Sequence, residues 1–422
     1  MNKKGNDLKL RKFKPGLKVN LYQEDWHPFQ NLPKSLRNFT AQTGVKVNLI
    51  WDKLISPKFS DKMWNEMERS FIEEEPPFDL MCADPMIINQ FAKKERVEKL
   101  NNYIKNDGYD LTDFETAALD ICTQGKDIFG LPSCNVSNLL MYRVDLFDKY
   151  KISLPKTMEE LAVKAISIQQ AVRDDGNKDF YGITARGATG AGYIGWIIAS
   201  SWAPSWGVDF YNNNNEINIE TQEHISAIEH FVDLLKKAAP PEEYDMTWTE
   251  SLDYYETGRT AMIIEVGTEF AHLYKKGGSI IEDSRCAVIP TGPCGKPRPG
   301  LYSPSFAIPK RSKVKEAAWE LAKFLCSSKQ QLEDALLSDA IETASNSALE
   351  SLEMDKHFKT DLLEAVRANR EFARDERPYS KHGLKPLSIL GDEYNSVLRN
   401  KKSAQDAMRE AAEKIRSLGP RW

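Results

Sequence analysis

The chain has 422 residues, and at about 100–200 residues per domain this length predicts two domains, with three possible. Its 57 lysines and arginines against 62 aspartates and glutamates give a formal charge of −5, which excludes a generally basic nucleic-acid-binding protein. Hydrophobic residues make up 41% and charged residues 28%, which excludes a disordered or a membrane-embedded chain.

The N-terminus is largely polar through Lys14 and lacks the apolar run of a secretory leader. The most apolar long stretch, residues 193–208, is shorter than the ~20 residues of a membrane-spanning helix and contains serines and a proline. Composition therefore allows either a cytoplasmic protein or a mature exported protein. The six cysteines form no C-x-x-C pair, although Cys286 and Cys294 could bridge, so cysteine use does not decide the compartment.

The first third of the chain alternates strands and helices. Strands are predicted at Leu17–Leu21, Val45–Leu49 and Phe78–Cys82, with one helix that ends at Gly44 and another over Pro57–Glu73. This order predicts a mainly parallel sheet covered by helices. Because ligands of such sheets bind at the carboxyl ends of the strands, three segments are of interest. They are Gln23–Trp26, Trp51–Asp52 and Ala83–Pro85.

Helix signals continue through the rest of the chain. Thr157 and Glu160 form a capping-box pattern, and Ser403 with Asp406 marks the start of a C-terminal helix. Catalytic motifs are largely missing, since the sequence has no G-x-S-x-G, no H-E-x-x-H and no Walker loop. The glycine-rich run Gly187–Gly192 reverses the order of the dinucleotide fingerprint, which favours a plain loop. We expect no cofactor and no metal.

Five segments in chain order resemble the extracellular solute-binding proteins of bacterial ABC importers, in their sugar-binding group. The third carries the most specific match, with Ile128–Pro132, Leu140–Phe147 and Leu154–Leu161 similar to the family's "I-Y-G-L-P", "Y-N-x-D-L-F" and "P-P-K-T-W-D-E-L". The others are Phe39–Val47, Phe78–Asp84, Tyr255–Met262, and Phe306–Pro309 together with Lys315–Trp319. A further stretch, Tyr181–Gly187, is most similar to members that bind polyols or small sugars.

The resemblance implies an α/β, two-lobed periplasmic-binding-protein-like fold with a mainly parallel sheet in each lobe and three hinge crossings. The crossings are expected near Asn135–Leu139, Ile264–Gly267 and Ile308–Lys313. One lobe would hold residues 1–136 and 266–308, and the other residues 137–265 and 309–422. The resemblance also implies an extracytoplasmic location for a mature form without its leader. The protein would lie in a periplasm or be anchored as a lipoprotein, and no cysteine precedes Cys82.

Binding of a sugar or polyol needs aromatic faces for C–H surfaces and charged or amide groups for hydroxyls. Residues of these types at strand ends and implied crossings are the predicted ligand contacts. They are Asp25, Trp26, Asp84, Asn135, Arg186, Trp202, Trp206, Trp248, Glu265, Gly267, Tyr302 and Ser303.

Each has a structural alternative. Asp84 could cap a helix, Arg186 could pair with a carboxylate, and Trp202 and Trp206 could fill the core. The second crossing reads Ile264–Phe270, with an acid where oligosaccharide-binding relatives carry an aromatic residue in a pattern like "I-N-G-P-W". This departure favours a smaller, hydroxyl-rich or even cationic ligand.

The resemblance implies capture of the solute by hinge closure and delivery to the transmembrane subunits of an ABC permease, by a monomer without enzymatic activity. Two other classes stay open. One is a carbohydrate-active hydrolase that uses Asp25, Asp84 or Glu265, and the other is a sensory or adhesion protein with the same fold.

Overall fold

A computed structural model describes residues 8–53 and 77–422, and the chain divides into two compact units. The first unit comprises Met1–Val136 and Tyr302–Phe358, and the second comprises Ser137–Leu301 and Lys359–Trp422. The predicted helix Pro57–Glu73 lies outside the described residues.

The first unit is built on a five-stranded mixed sheet. The three N-terminal strands are parallel, with Leu21 in register with Leu49 on one side and with Leu80 on the other, as predicted. Two short strands extend the sheet, each antiparallel to the strand before it. In spatial order the strands are Lys46–Lys53, Lys18–Asp25, Leu80–Ala83, Ser305–Ala307 and Leu131–Pro132.

Helices cover this sheet. Leu32–Thr43 ends at Gly44 as predicted, because Gly44 takes a left-handed φ of 79° and its N–H donates to Thr40 O at 2.9 Å. Phe39 packs on Phe324, with ring centroids 5.5 Å apart. The other described elements of this unit are the helices His27–Phe29, Pro85–Lys93, Asn101–Asp107, Thr116–Ile121, Lys315–Leu325, Ser328–Ser338, Asn346–Leu349 and Leu352–His357, and a small hairpin of Thr123–Gln124 and Asp127–Ile128.

The second unit contains a sheet centred on the strand Val136–Arg143, which is flanked by Met262–Val266 and Ser284–Val288. Both neighbours are antiparallel to it, so the prediction of a mainly parallel sheet in each lobe is wrong for this unit. The reason is that all five residues of Met262–Val266 are buried. A strand covered on both faces shows no polar alternation, and its sequence then looks the same in either orientation.

The helices of the second unit surround this sheet. The predicted cap Thr157 accepts a hydrogen bond from Glu160 N at 3.1 Å, and Ser403 accepts one from Asp406 N at 3.0 Å. The described helices are Val144–Lys149, Met158–Asp174, Ile194–Ile197, Ile198–Trp202, Ala203–Ser205, Gln222–Ala238, Glu243–Asp245, Trp248–Glu256, Gly267–Lys276, Ser279–Glu282, Thr360–Phe372, Lys385–Leu398 and Ala404–Ser417. The short strand Leu301–Tyr302 also belongs to the sheet of Val136–Arg143.

The compact units differ from the predicted lobes in two segments. Residues 266–301 belong to the second unit rather than the first, because Ser284–Val288 pairs with Val136–Arg143. Residues 309–358 belong to the first unit rather than the second, because the helix Lys315–Leu325 packs against Leu32–Thr43. The chain passes between the units after Val136, Leu301 and Phe358, so only the first passage falls within a predicted crossing.

The six cysteines are all free thiols, and only Cys294 is not buried. The suggested bridge between Cys286 and Cys294 is therefore not formed. Among the described residues, every helix is too short or too polar to cross a membrane.

Candidate functional site

The twelve predicted ligand contacts divide equally between the two units. The first unit holds Asp25, Trp26, Asp84, Asn135, Tyr302 and Ser303. The second holds Arg186, Trp202, Trp206, Trp248, Glu265 and Gly267.

In the second unit, three of the predicted residues meet in one group, which we call the Arg186 cluster: Arg186, Tyr193, Trp196, Trp248 and Glu265. Its centre is a bidentate ion pair between Arg186 and Glu265. Arg186 Nε donates to Glu265 Oε2 at 2.7 Å, and Arg186 Nη2 donates to Glu265 Oε1. The third guanidinium nitrogen, Nη1, donates to Gly192 O at 3.0 Å. The Glu265 side chain is fully buried and that of Arg186 is 12% exposed, so the pair is fixed in direction and shielded from water.

Aromatic rings enclose the guanidinium of Arg186. Its central carbon lies 4.9 Å from the ring centroid of Trp196 and 5.3 Å from that of Trp248. Trp248 is stacked on Tyr193, with centroids 5.4 Å apart and an angle of 22° between the rings. Trp196 is buried, and its indole N–H has no hydrogen-bond partner among the described residues. The cluster thus combines a fixed cation with broad aromatic faces.

Local structure explains why these side chains converge. Glu265 lies near the end of the strand Met262–Val266, and its Oε1 accepts from Val266 N at 2.9 Å. Trp248 is the first residue of a helix that is capped by a reciprocal pair, Thr247 and Glu250. Both elements therefore present their side chains from rigid backbone.

The backbone just before Arg186 is held by a buried carboxyl group, that of Glu243. It accepts a hydrogen bond from Ala185 N at 2.6 Å and lies 3.0 Å from Thr184 Oγ1. Burial raises the pKa of Glu243 to about 8. Thr184 N in turn donates to Met262 O at 3.0 Å, which aligns this segment with the strand that carries Glu265.

The charge of Arg186 is stabilised by its surroundings. Burial lowers the pKa of the guanidinium, but the carboxylates of Glu265 and Glu269 raise the pKa by more, so it lies above its usual value. Arg186 therefore remains a cation, and the buried carboxylate of Glu265 holds it in place.

In the first unit, a second group forms around Tyr302, and we call Glu24, Trp26 and Tyr302 the Tyr302 cluster. The rings of Trp26 and Tyr302 lie 6.5 Å apart at 55°. Tyr302 Oη lies 3.3 Å from Glu24 Oε1 and 3.5 Å from Oε2. Glu24 is buried, whereas both aromatic residues are half-buried. Sequence reasoning named Trp26 and Tyr302 but not the carboxylate that contacts Tyr302.

The other predicted residues of the first unit have partners within it. Asn135 accepts from Ser303 Oγ at 2.7 Å and donates to Glu115 Oε2 at 2.9 Å, and both Asn135 and Ser303 are buried. Asp84 caps its helix by accepting from Met86 N at 2.8 Å, which is the structural alternative given above. Asp25 accepts from Gln30 Nε2 at 3.0 Å.

The remaining predicted residues of the second unit lie outside the Arg186 cluster. Trp202 is fully buried, packs on Phe231 at 4.7 Å and donates to His230 Nδ1 at 3.2 Å, which is the environment of a core residue. Trp206 is half-buried, with its ring 4.9 Å from that of His230. Gly267 is the first residue of the helix Gly267–Lys276 and is buried.

Sequence reasoning missed Tyr193 and Trp196. Both lie in the apolar stretch 193–208, where the sequence pattern does not distinguish a ligand contact from a core residue. Their spacing gives no signal, because Tyr193 precedes the four-residue helix Ile194–Ile197 and has a non-helical backbone conformation. Among the described residues, no group of three or more histidine, cysteine, aspartate or glutamate side chains is placed to hold a metal ion.

Comparison with known proteins gives one family match. The family described as bacterial extracellular solute-binding protein matches residues 23–332. A curated relative from Deinococcus radiodurans, named a probable ABC transporter-binding protein, is 26% identical over 277 residues. That alignment covers 65% of this chain and 62% of the relative, so the chain matches somewhat less than two thirds of the relative's length.

Solved structures match over nearly the whole chain. An Agrobacterium radiobacter ABC transporter solute-binding protein in complex with ribitol has a TM-score of 0.83 at 21% identity, covering 96% of this chain and 100% of that one. A maltose-bound protein from T. maritima has a TM-score of 0.82 with the same identity and coverage. At this level of identity such matches show the fold, and they confirm the predicted two-lobed α/β class.

Proposed function

We propose, from the premise that this chain belongs to the bacterial extracellular solute-binding protein family, that it is the substrate-binding component of an ABC importer for a sugar or polyol. It captures the solute by hinge closure outside the cytoplasm and delivers it to the membrane permease. Other subunits use the ATP, and the solute leaves chemically unchanged.

The observation that carries this proposal is the Arg186 cluster. The half-buried Trp248 ring, which is stacked on the buried Tyr193, offers flat apolar surface for the C–H groups of a sugar or polyol. Arg186, whose side chain is 12% exposed and is held in place by the buried Glu265, provides a charged donor for hydroxyl groups, and hydrogen bonds to charged groups contribute about 1.5–3 kcal/mol each. A site of this composition recognises a neutral, hydroxyl-rich molecule.

Two observations favour a small ligand over a long oligosaccharide. Glu265 is bound to Arg186 at the position near which oligosaccharide-binding relatives carry an aromatic residue, so that stacking surface is replaced by an ion pair. One protein of the same fold was solved with ribitol, a five-carbon polyol. We therefore expect a monosaccharide or an alditol to bind more tightly than maltotriose.

A thermal-shift screen tests the ligand class, because a ligand that binds only the folded state raises the melting temperature. Ribitol, mannitol, glucose, maltose and maltotriose are the probes, and calorimetry then gives Kd for any hit. Trp248→Ala should weaken binding by about tenfold or more, since it removes one face of the stacked pair. Trp422→Ala is the matched control, because Trp422 is 42% exposed and lies outside the cluster.

Two outcomes would contradict the proposal. If no sugar or polyol binds at millimolar concentration, the proposed ligand class is wrong. Release of a cleaved product from an oligosaccharide would favour the hydrolase alternative. Small-angle scattering with and without the hit tests hinge closure separately, and an unchanged radius of gyration at saturation would remove it.

A further inference from the structure

The second unit contains a cavity of about 540 Å³ whose wall is rich in cations. The helices Met158–Asp174, Gln222–Ala238 and Lys385–Leu398 contribute to its wall. Five basic side chains line it: Arg173, Lys236, Lys237, Arg399 and Lys401. In a chain of net charge −5, this is a local reversal of sign.

Two of these five cations are neutralised by carboxylates outside the cavity lining. Lys237 pairs with Asp233 at 2.9 Å, four residues earlier on the same helix. Arg399 pairs with Asp245 and also lies 4.1 Å from the centroid of the Tyr244 ring. These two ion pairs neutralise Lys237 and Arg399 and do not involve the other three cations of the lining.

The other three cations make no ion pair within the part of the chain that the structure describes. Arg173 donates through Nε to Phe180 O at 2.8 Å and lies 5.0 Å from the centroid of the Tyr181 ring. Lys236 Nζ donates to Val397 O at 3.1 Å. Lys401 is exposed. Backbone carbonyls and an aromatic ring fix the direction of Arg173 and Lys236 without cancelling their charge.

Glu243 is the one acidic residue in the described lining of this cavity. Its carboxyl group is buried and is turned to Ala185 N and Thr184 Oγ1. Since burial raises the pKa of Glu243 to about 8, this group is mostly protonated at pH 7 and does not neutralise the wall. Burial also lowers the pKa of Lys236, against a smaller raising effect from Asp233, as expected for an ammonium group without an anionic partner.

We propose that this cavity is a binding site for a small phosphate-bearing anion, either a free phosphate compound or an anionic headgroup. Three unpaired cations on one concave wall match an anion with more than one negative charge, and Arg173 adds planar donors suited to phosphate oxygens. The volume falls within the range of about 300–1,000 Å³ that is usual for small-ligand sites. This inference does not depend on the proposed import function, because none of its residues belongs to the Arg186 cluster.

Calorimetric titration of the full chain with inorganic pyrophosphate at pH 7 and low salt tests the site. We expect saturable binding of one pyrophosphate per chain. Lys236→Gln combined with Lys401→Gln should weaken it by about tenfold or more, because two charge-assisted contacts are lost. Lys105→Gln combined with Lys126→Gln is the matched control, since both lysines are exposed residues of the first unit and the change in net charge is the same.

A second variant distinguishes loss of pyrophosphate binding from loss of folding. Lys401→Glu reverses charge at an exposed side chain for which no hydrogen bond is described, and its melting temperature should equal that of the wild type while pyrophosphate affinity falls. No saturable heat in the wild type together with no co-flotation with anionic vesicles, or equal weakening in the first-unit control, would overturn the site.

The source of the phosphate is distinguished by flotation with phosphatidylglycerol vesicles against phosphatidylcholine vesicles. Co-flotation with the anionic vesicles alone, lost in Lys401→Glu, assigns the site to a headgroup. Pyrophosphate binding without co-flotation assigns it to a free phosphate compound. If neither probe binds, the proposal is wrong.

Discussion

The Arg186 cluster and the Tyr302 cluster both combine aromatic rings with a buried carboxylate, but they are built with different rigidity. In the second unit, Arg186 and Glu265 make two parallel hydrogen bonds, and Trp248 is stacked on Tyr193. In the first unit, the contact between Tyr302 and Glu24 is 3.3 Å long, and the ring pair is tilted. Groups held rigidly lose less entropy when a ligand binds. We infer that the Arg186 cluster contributes more to ligand affinity and that the Tyr302 cluster adapts to the ligand.

The largest effect is expected from Glu265→Gln. The Arg186 guanidinium is then left nearly buried without its counter-ion, which should lower the free energy of unfolding by about 3 kcal/mol. Urea unfolding measures this loss. The double variant Arg186→Gln with Glu265→Gln should be more stable than Glu265→Gln alone, because no uncompensated charge remains. If the double variant and Glu265→Gln are equally stable, the ion pair between Arg186 and Glu265 does not stabilise this cluster.

The next effect concerns pH and the carboxyl group that fixes the backbone before Arg186. The pKa of Glu243 is raised to about 8 in the folded protein, so the native state binds an extra proton between the usual pKa near 4.5 and about 8. Its contribution to stability is complete below pH 4.5 and is lost as the pH rises through 8. Glu243→Gln should remove this dependence and be more stable than the wild type at pH 8.5, by about 2 kcal/mol.

Asp334 in the first unit provides the matched control for that experiment. Its carboxyl group accepts from Asn31, Ser35 and Gln330, and burial raises its pKa to about 6. Its stability contribution is lost between pH 3.8 and about 6, so Asp334→Asn should leave the slope between pH 7 and 8.5 unchanged. Urea unfolding across this range compares the two variants. An unchanged slope in Glu243→Gln would show that Glu243 ionises like an exposed glutamate.

Ligand affinity then compares the two clusters directly. Trp26→Ala should weaken binding of the sugar or polyol identified by screening about fivefold, which is less than the loss from Trp248→Ala, because the Trp26 ring is only tilted against Tyr302. Calorimetry with both variants gives the ratio. A larger loss from Trp26→Ala would reverse the order of the clusters inferred here.

The sequence predicted part of this molecule for identifiable reasons. Strands in the first unit follow from short apolar runs, and Gly44 marks a helix end, because both signals are local. Strand direction in the second unit cannot be predicted in this way, since a fully buried strand such as Met262–Val266 has no polar face. Assignment of residues 266–301 and 309–358 to the units depends on long-range pairing, which no local pattern encodes.

The candidate site shows the same limit. Arg186 and Glu265 were both predicted as ligand contacts, but they are 79 residues apart and nothing in either segment indicates that they pair. Tyr193 and Trp196 were missed because aromatic residues in an apolar stretch are usually core, as Trp202 nearby is. Residue type can nominate a contact, whereas burial and partners are decided by the tertiary fold.

The smallest effect is expected from Tyr302→Phe. The variant removes one hydroxyl whose contact with Glu24 is long, so the hydrogen bond contributes at most about 0.5 kcal/mol to stability. If Tyr302 adapts to the ligand, its hydroxyl turns from Glu24 to a ligand oxygen, and affinity falls two- to threefold at unchanged melting temperature, about 0.5 kcal/mol of binding free energy. A fall in melting temperature with no change in Kd would mean that Tyr302 acts in folding only, and the Tyr302 cluster would then be reduced to Trp26 and its surroundings.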